Sequence, residues 1–144
     1  MWAYVDTSAL VKRYIDEVGR REVLRLLRRY ECVTSALLPV ELRGALRRRV
    51  SEGTLDASRL PAILKRVATD RAYWTQVEVG AEVLVAAETL VATHPLRTLD
   101  AIHVASAQIF MARASTPDVL FVSADTRQTD AAAAIGLVVR HIAS

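Results

Sequence analysis

A chain of 144 residues, 52% hydrophobic and 24% charged, has the size and balance of a folded soluble protein with a real core. No stretch approaches the ~20 apolar residues of a membrane span. The N-terminus lacks the basic region of a signal peptide, and Cys32 is the single cysteine, so no internal disulfide can form. An integral membrane protein and a disulfide scaffold are therefore excluded, and the cytoplasm is the expected compartment. The net charge of +3 is carried almost entirely by arginine, with Lys12 and Lys65 the only lysines.

In chain order, Trp2 to Val5 is an uncharged run that ends on Asp6. That pattern suits a strand buried on both faces, as in a parallel sheet. Asp6, Thr7 and Ser8 are all helix-capping types, and a short helix is predicted over 7–14, with Gly19 as its breaker. A second helix spans 20–29, with Val23, Leu24, Leu26 and Leu27 on its apolar side. A short strand over 31–34 follows. Ser35 is the predicted cap of a longer helix reaching about residue 51, with Pro39 near its first turn. Asp56 or Ser58 opens the next, which runs to about residue 73. A strand over 75–79 precedes a helix over 80–93, which His94 and Pro95 end. Thr98 caps a helix over 99–114. A buried strand over 119–123, a helix over 126–135 stopped by Gly136, and a strand over 137–140 complete the chain. Strands alternating with helices predict an α/β domain built on a parallel sheet. No linker or repeat divides residues 1–144, so one domain is expected.

Several carboxylates stand out against this pattern. In open α/β sheets ligands bind where strands end, and the runs before Asp6 and Asp125 each deliver an acid to that edge. Each is equally readable as a helix cap. Glu41 interrupts an apolar stripe of Leu38, Leu42 and Ala45, or sits exposed at the edge of its helix. Asp100 and His103 lie one turn apart on a helix that is apolar nearly all round and so is expected to be buried. Asp100 either complements the helix dipole or needs a buried partner. His103 is that partner or a satisfied core histidine, in preference to a metal ligand. Acids gathered at one edge repel one another, and a divalent cation removes the conflict. Oxygen donors without a Cys/His set point to Mg²⁺ or Mn²⁺. Such an ion activates water and stabilises a leaving oxygen, so metal-assisted phosphodiester hydrolysis is the chemistry expected. The arginine clusters at 20–29 and 43–49 either pair with a nucleic-acid backbone or form solvated helix faces.

The segments Tyr4-Val5-Asp6-Thr7-Ser8-Ala9-Leu10-Val11-Lys12, Val40-Glu41-Leu42, Leu96-Arg97-Thr98-Leu99-Asp100-Ala101-Ile102-His103-Val104-Ala105 and Phe121-Val122-Ser123-Ala124-Asp125 occur in an order that resembles PIN domains. They resemble most closely the VapC-type toxins of toxin–antitoxin pairs. The resemblance implies a three-layer α/β/α fold with a central parallel sheet and a Mg²⁺- or Mn²⁺-dependent endoribonuclease. It makes Asp6, Glu41, Asp100 and Asp125 the acidic, metal-holding cluster and Ser8 and Ser123 accessory hydroxyls. Asp130 is a less clear match, placed to hold a second ion. It further implies an RNA substrate such as transfer RNA, a cognate antitoxin and a homodimer. A non-catalytic RNA-binding or scaffold version of the fold is the alternative. A dehalogenase-type phosphatase would want a second Asp where Ser8 stands. A response-regulator receiver would want a late lysine, and none follows Lys65.

Overall fold

The computed structural model describes residues 1–115 and 118–144. Its centre is a five-stranded sheet of β1 (Trp2–Val5), β2 (Glu31–Ser35), β3 (Thr75–Val77), β4 (Val119–Ser123) and β5 (Val138–His141), ordered β3-β2-β1-β4-β5. Every pairing is parallel. Parallel neighbours need crossover connections, and the helices that supply them cover both faces of the sheet. These are α1 (Thr7–Leu10), α2 (Arg20–Arg29), α3 (Leu38–Ser51), α4 (Leu60–Arg71), α5 (Ala81–Thr93), α6 (Thr98–Arg113) and α7 (Thr126–Ala134).

The strand pleat divides the apolar residues into two cores. Ala3, Val5 and Val122 face one way and pack with Leu10, Leu38, Leu42 and Leu46. Tyr4, Val33 and Phe121 face the other and pack with Val83, Ala101 and Val104. The Tyr4 and Phe121 rings stack at 5.6 Å, 6° from parallel. Apolar packing on both sides is why the β1 and β4 runs carry no charge, and it makes the predicted α/β/α layering the observed one.

The chain builds outward from β1 through β2 to β3, then returns to lay β4 and β5 on its other side. The order therefore reverses between β1 and β4, and a crevice opens at the C-terminal ends of those strands. Asp6 N–H still pairs with Val122 C=O at 3.1 Å, so the two chains separate only beyond this point.

Several boundaries differ from the sequence reading. The helix expected over 7–14 is one α-turn, α1, continued by a 3₁₀ turn at Val11–Arg13. Ser35 ends β2, and its Oγ accepts from Leu37 N–H at 3.2 Å, so the capping hydroxyl shapes the turn and α3 starts at Leu38. Asp56 caps a 3₁₀ turn at Ala57–Arg59, and α4 begins only at Leu60, with Pro61 in its first turn. Only the first half of α6, Asp100 to Ala107, is buried. Apolar composition does not say which turns are fully enclosed: in the second half Ile109, Phe110 and Met111 are partly buried against the core, and only Ala112 and Arg113 are exposed. Among the described residues no helix is long and apolar enough to cross a membrane.

Candidate active site

Asp6 follows β1 directly and caps α1, its Oδ1 accepting from Ala9 N–H at 3.0 Å. The residue is 1% exposed. Ser8 Oγ reaches both carboxylate oxygens at 2.8 Å, and Ser123 Oγ, at the end of β4, donates to Oδ2 at 2.9 Å. The two hydroxyls are themselves oriented, because Ser8 Oγ accepts from Ala124 N–H (2.9 Å) and Ser123 Oγ from Asp125 N–H (3.0 Å). The adjacent strand ends thus lock one another through Asp6. Burial pushes its carboxyl pKa up. The charge of His103 and the bonds from Ala9, Ser8 and Ser123 pull the other way without cancelling the rise.

Glu41 comes from α3, where Glu41, Gly44, Ala45 and Arg48 recur at helical spacing and line the same cleft. Its Oε1 accepts from His103 Nε2 at 2.6 Å and from Thr7 Oγ1 at 3.1 Å. On its far side His103 Nδ1 lies 2.9 Å from the buried Tyr4 hydroxyl. Burial alone would lower the His103 pKa, but the Glu41 bond and the charges of Asp6, Glu41 and Asp100 outweigh it and raise the value. His103 therefore partners Glu41, not the Asp100 one turn away on its own helix.

Asp100, in the first turn of α6, accepts from Gln128 Nε2 and Arg97 Nε, each at 3.1 Å. Asp125 caps α7 by accepting from Arg127 N–H at 2.9 Å. The Arg97 guanidinium bridges the two acids, standing 4.0 Å from Asp125 Oδ2. All four acids, Asp6, Glu41, Asp100 and Asp125, line one cleft of ≈ 1100 Å³. Lys12, Arg48, Arg49, Arg97 and Arg127 line it as well, so the acids share the cleft with five basic side chains. Asp130 is not among the lining residues. Helix α7 turns Gln128, Thr129, Ala131 and Ala132 inward, which leaves Asp130 exposed.

A family profile described as PIN domain matches residues 3–134. The chain belongs to the PIN-domain family. Its fold is similar to that of a toxin–antitoxin complex from Klebsiella pneumoniae, with a TM-score of 0.63, 16% identity and 88% of each chain covered. It is similar too to the crystal structure of PAE2754 from Pyrobaculum aerophilum, with a TM-score of 0.64, 17% identity, 96% of this chain and 83% of the other covered. No curated protein matches the chain.

In this PIN domain the sequence reading missed Thr7, Arg97, Gln128 and Glu17. Glu17 also lines the cleft, but Lys12 Nζ at 3.1 Å and Arg49 already pair with it. A lone Thr, Gln or loop Glu carries no distinguishing pattern, whereas Arg97 is legible as the residue one turn before Asp100. The donor set suits a hard divalent cation, being carboxylate and hydroxyl oxygen throughout. Asp6 makes the same point, as a buried carboxylate bonded only to hydroxyls and an N–H among the described residues. As the side chains are placed, no three His, Cys, Asp or Glu among the described residues stand close enough to share an ion. The fit thus lies in donor chemistry and a shared cleft.

Proposed function

We propose that this chain is a divalent-cation-dependent endoribonuclease and the toxin of a toxin–antitoxin pair, folded as one domain over residues 1–144 and acting in the cytoplasm. The observation that carries the reading is that four carboxylates, from two strand ends and two helices, line one cleft together with several basic side chains. Asp6, Glu41, Asp100 and Asp125 are the residues that would hold Mg²⁺ or Mn²⁺. Such an ion supplies Lewis-acid polarisation of the phosphodiester, an acidified water and neutralisation of the leaving oxygen.

The chain's own groups do the rest. Ser8 and Ser123 fix Asp6, and His103 and Thr7 fix Glu41. Arg48 lies on the cleft wall, exposed and without an ion pair among the described residues, and is available to a substrate phosphate. Arg43 and Arg47 on the same helix extend that basic surface. Cleavage of labelled RNA with Mg²⁺ and not with EDTA, leaving 5′-phosphate and 3′-hydroxyl ends, is the expected result. Ends bearing 2′,3′-cyclic phosphate, or equal cleavage in EDTA, would overturn it.

The competing reading is a non-catalytic RNA-binding or scaffold domain. What favours it is that the acids are tied by the chain's own donors and not gathered round one point. The same assay decides, since that reading expects RNA binding without cleavage. The likeness to the Klebsiella pneumoniae complex supports an antitoxin partner, and the apolar residues of α2, α3 and α4 are the surface proposed for it. Structured RNA such as transfer RNA is the proposed target and a homodimer the proposed assembly. Cleavage that is unchanged by the neighbouring reading frame's product would remove the antitoxin from this account.

A further inference from the structure

We propose that His103, braced by Tyr4 and acting with Thr7, is the positioning residue for Glu41: it clamps one carboxylate oxygen and leaves the other open to the cleft for a divalent cation. The inference rests on the reading of Glu41 as a cation ligand and assigns a role to groups outside the four acids. Three observations carry it. First, the two side-chain bonds to Glu41, from His103 Nε2 at 2.6 Å and Thr7 Oγ1 at 3.1 Å, both fall on Oε1. Among the described residues Oε2 receives none, and the residue lines the cleft. A glutamate has three rotatable bonds, and two donors on one oxygen remove much of that freedom before any ligand arrives.

Second, the ring that does this is itself immobilised. His103 is 1% exposed, and its second nitrogen is 2.9 Å from the hydroxyl of Tyr4, whose ring stacks on Phe121. A phenol keeps its proton at neutral pH, so the Tyr4 hydroxyl can donate to Nδ1. That fixes the hydrogen on Nε2, facing Glu41. In a doubly protonated ring Nε2–H donates just the same, so the clamp holds whichever form is present. Third, both ring nitrogens are engaged, which leaves His103 no lone pair for a metal. A histidine with only a packing role would not spend a nitrogen on a cleft-lining carboxylate. Carboxylate ligands are commonly held by such outer partners, and losing one typically costs about 10–100-fold in metal affinity.

The test is calorimetric titration of Mn²⁺ into the whole chain without RNA, for wild type, Glu41→Gln, His103→Leu, His103→Gln, Tyr4→Phe and Thr7→Val, with melting in EDTA to establish folding. His103→Leu is expected to weaken Mn²⁺ binding about 10–100-fold. His103→Gln, whose amide N–H can reach the same oxygen, should recover most of the affinity. Tyr4→Phe and Thr7→Val should each give a smaller loss in the same direction. Wild-type affinity in His103→Leu, with binding weakened in Glu41→Gln, would overturn the clamp and leave the cation site standing. If His103→Leu does not fold, wild-type affinity in both Tyr4→Phe and Thr7→Val overturns it equally. Failure of wild type to bind Mn²⁺, or full binding by Glu41→Gln, would instead remove the cation reading and this inference with it.

Discussion

Asp6→Asn probes the electrostatics of the cleft at its deepest point. Asp6 is 1% exposed and bonded to two hydroxyls and a backbone N–H. Burial lifts its carboxyl pKa, with His103, Ala9, Ser8 and Ser123 opposing. Between the ordinary carboxyl value and the raised one, the native state holds this proton more tightly than the unfolded chain does. Stability without metal therefore falls as pH rises through that window. Each unit of elevation corresponds to about 1.4 kcal/mol. In a chain of this size 1 kcal/mol moves Tm by roughly 2–4 °C. Asparagine keeps the cap to Ala9 N–H, and the Ser8 and Ser123 hydroxyls can rotate to accept from its amide. In EDTA the mutant should thus melt above wild type, by roughly 3–6 °C for each unit of elevation, and the gap should close as pH falls below the ordinary carboxyl value, where Asp6 is protonated in both states. Added Mn²⁺ should raise the wild-type Tm and not the mutant's, since a ligand stabilises only the state it binds, and RNA cleavage should be lost. A mutant melting below wild type at pH 7 in EDTA would refute the electrostatic reasoning. One that still gains stability from Mn²⁺ and cleaves RNA would refute the site.

Asp100→Asn should be nearly neutral for the metal-free fold while cleavage drops by orders of magnitude. Gln128 Oε1 is buried without a hydrogen-bond partner among the described residues and can turn to meet the new N–H, and the lost pair with Arg97, whose side chain is 71% exposed, is worth only about 0–1 kcal/mol. Paired melts and cleavage assays check both halves. Asp70→Ala removes the shared acceptor of Arg13 (2.6 and 3.1 Å) and Tyr14 (2.9 Å), away from the cleft. Urea unfolding should show a loss of about 1.5–3 kcal/mol, with cleavage per folded molecule unchanged. Burial alone would raise the Asp70 pKa, but Arg13 and Tyr14 hold it below the usual range, so its contribution is present above that range and lost as pH falls through the lowered value. The mutant's deficit should accordingly shrink in acid. RNA affinity should fall with salt, and Arg48→Ala should reduce the slope of log affinity against log salt by about 0.7–0.9.

What the sequence could disclose follows from how each feature is encoded. The β1 and β4 runs were readable because a strand buried on both faces tolerates no charge until it ends. Glu41 and Asp100 were readable as acids interrupting apolar helix surface. The sheet order was not, since each crossover can place the next strand on either side of β1. The His103 pairing was hidden for a similar reason. Asp100 is its natural neighbour along the helix, yet Arg97 and Gln128 claim that acid, and Glu41 arrives from 62 positions earlier. Asp130, about one turn beyond Asp125, looks like a partner in sequence, but α7 turns Gln128, Thr129, Ala131 and Ala132 inward and leaves it exposed, outside the cleft lining.

The four acids are not neutralised alike, and the difference orders what an entering cation would meet. Asp125 and Asp100 share Arg97, and Arg127 adds a bond to Asp125 at 3.5 Å. These guanidiniums stand at the rim, largely in water, where moving them costs little. Glu41 has His103, which is buried and braced and does not move cheaply. Asp6 has no cation bonded to it among the described residues, only dipoles that hold its oxygens in place. On the proposed reading, the largest electrostatic gain therefore lies at the base, where geometry is already fixed, and the adjustment needed to gather further oxygens falls on exposed arginines. Preorganisation at Asp6 and Glu41 and compliance at Asp100 and Asp125 are then two halves of one arrangement. Arg97 is the group whose displacement converts a self-neutralised cleft into one with acids to offer.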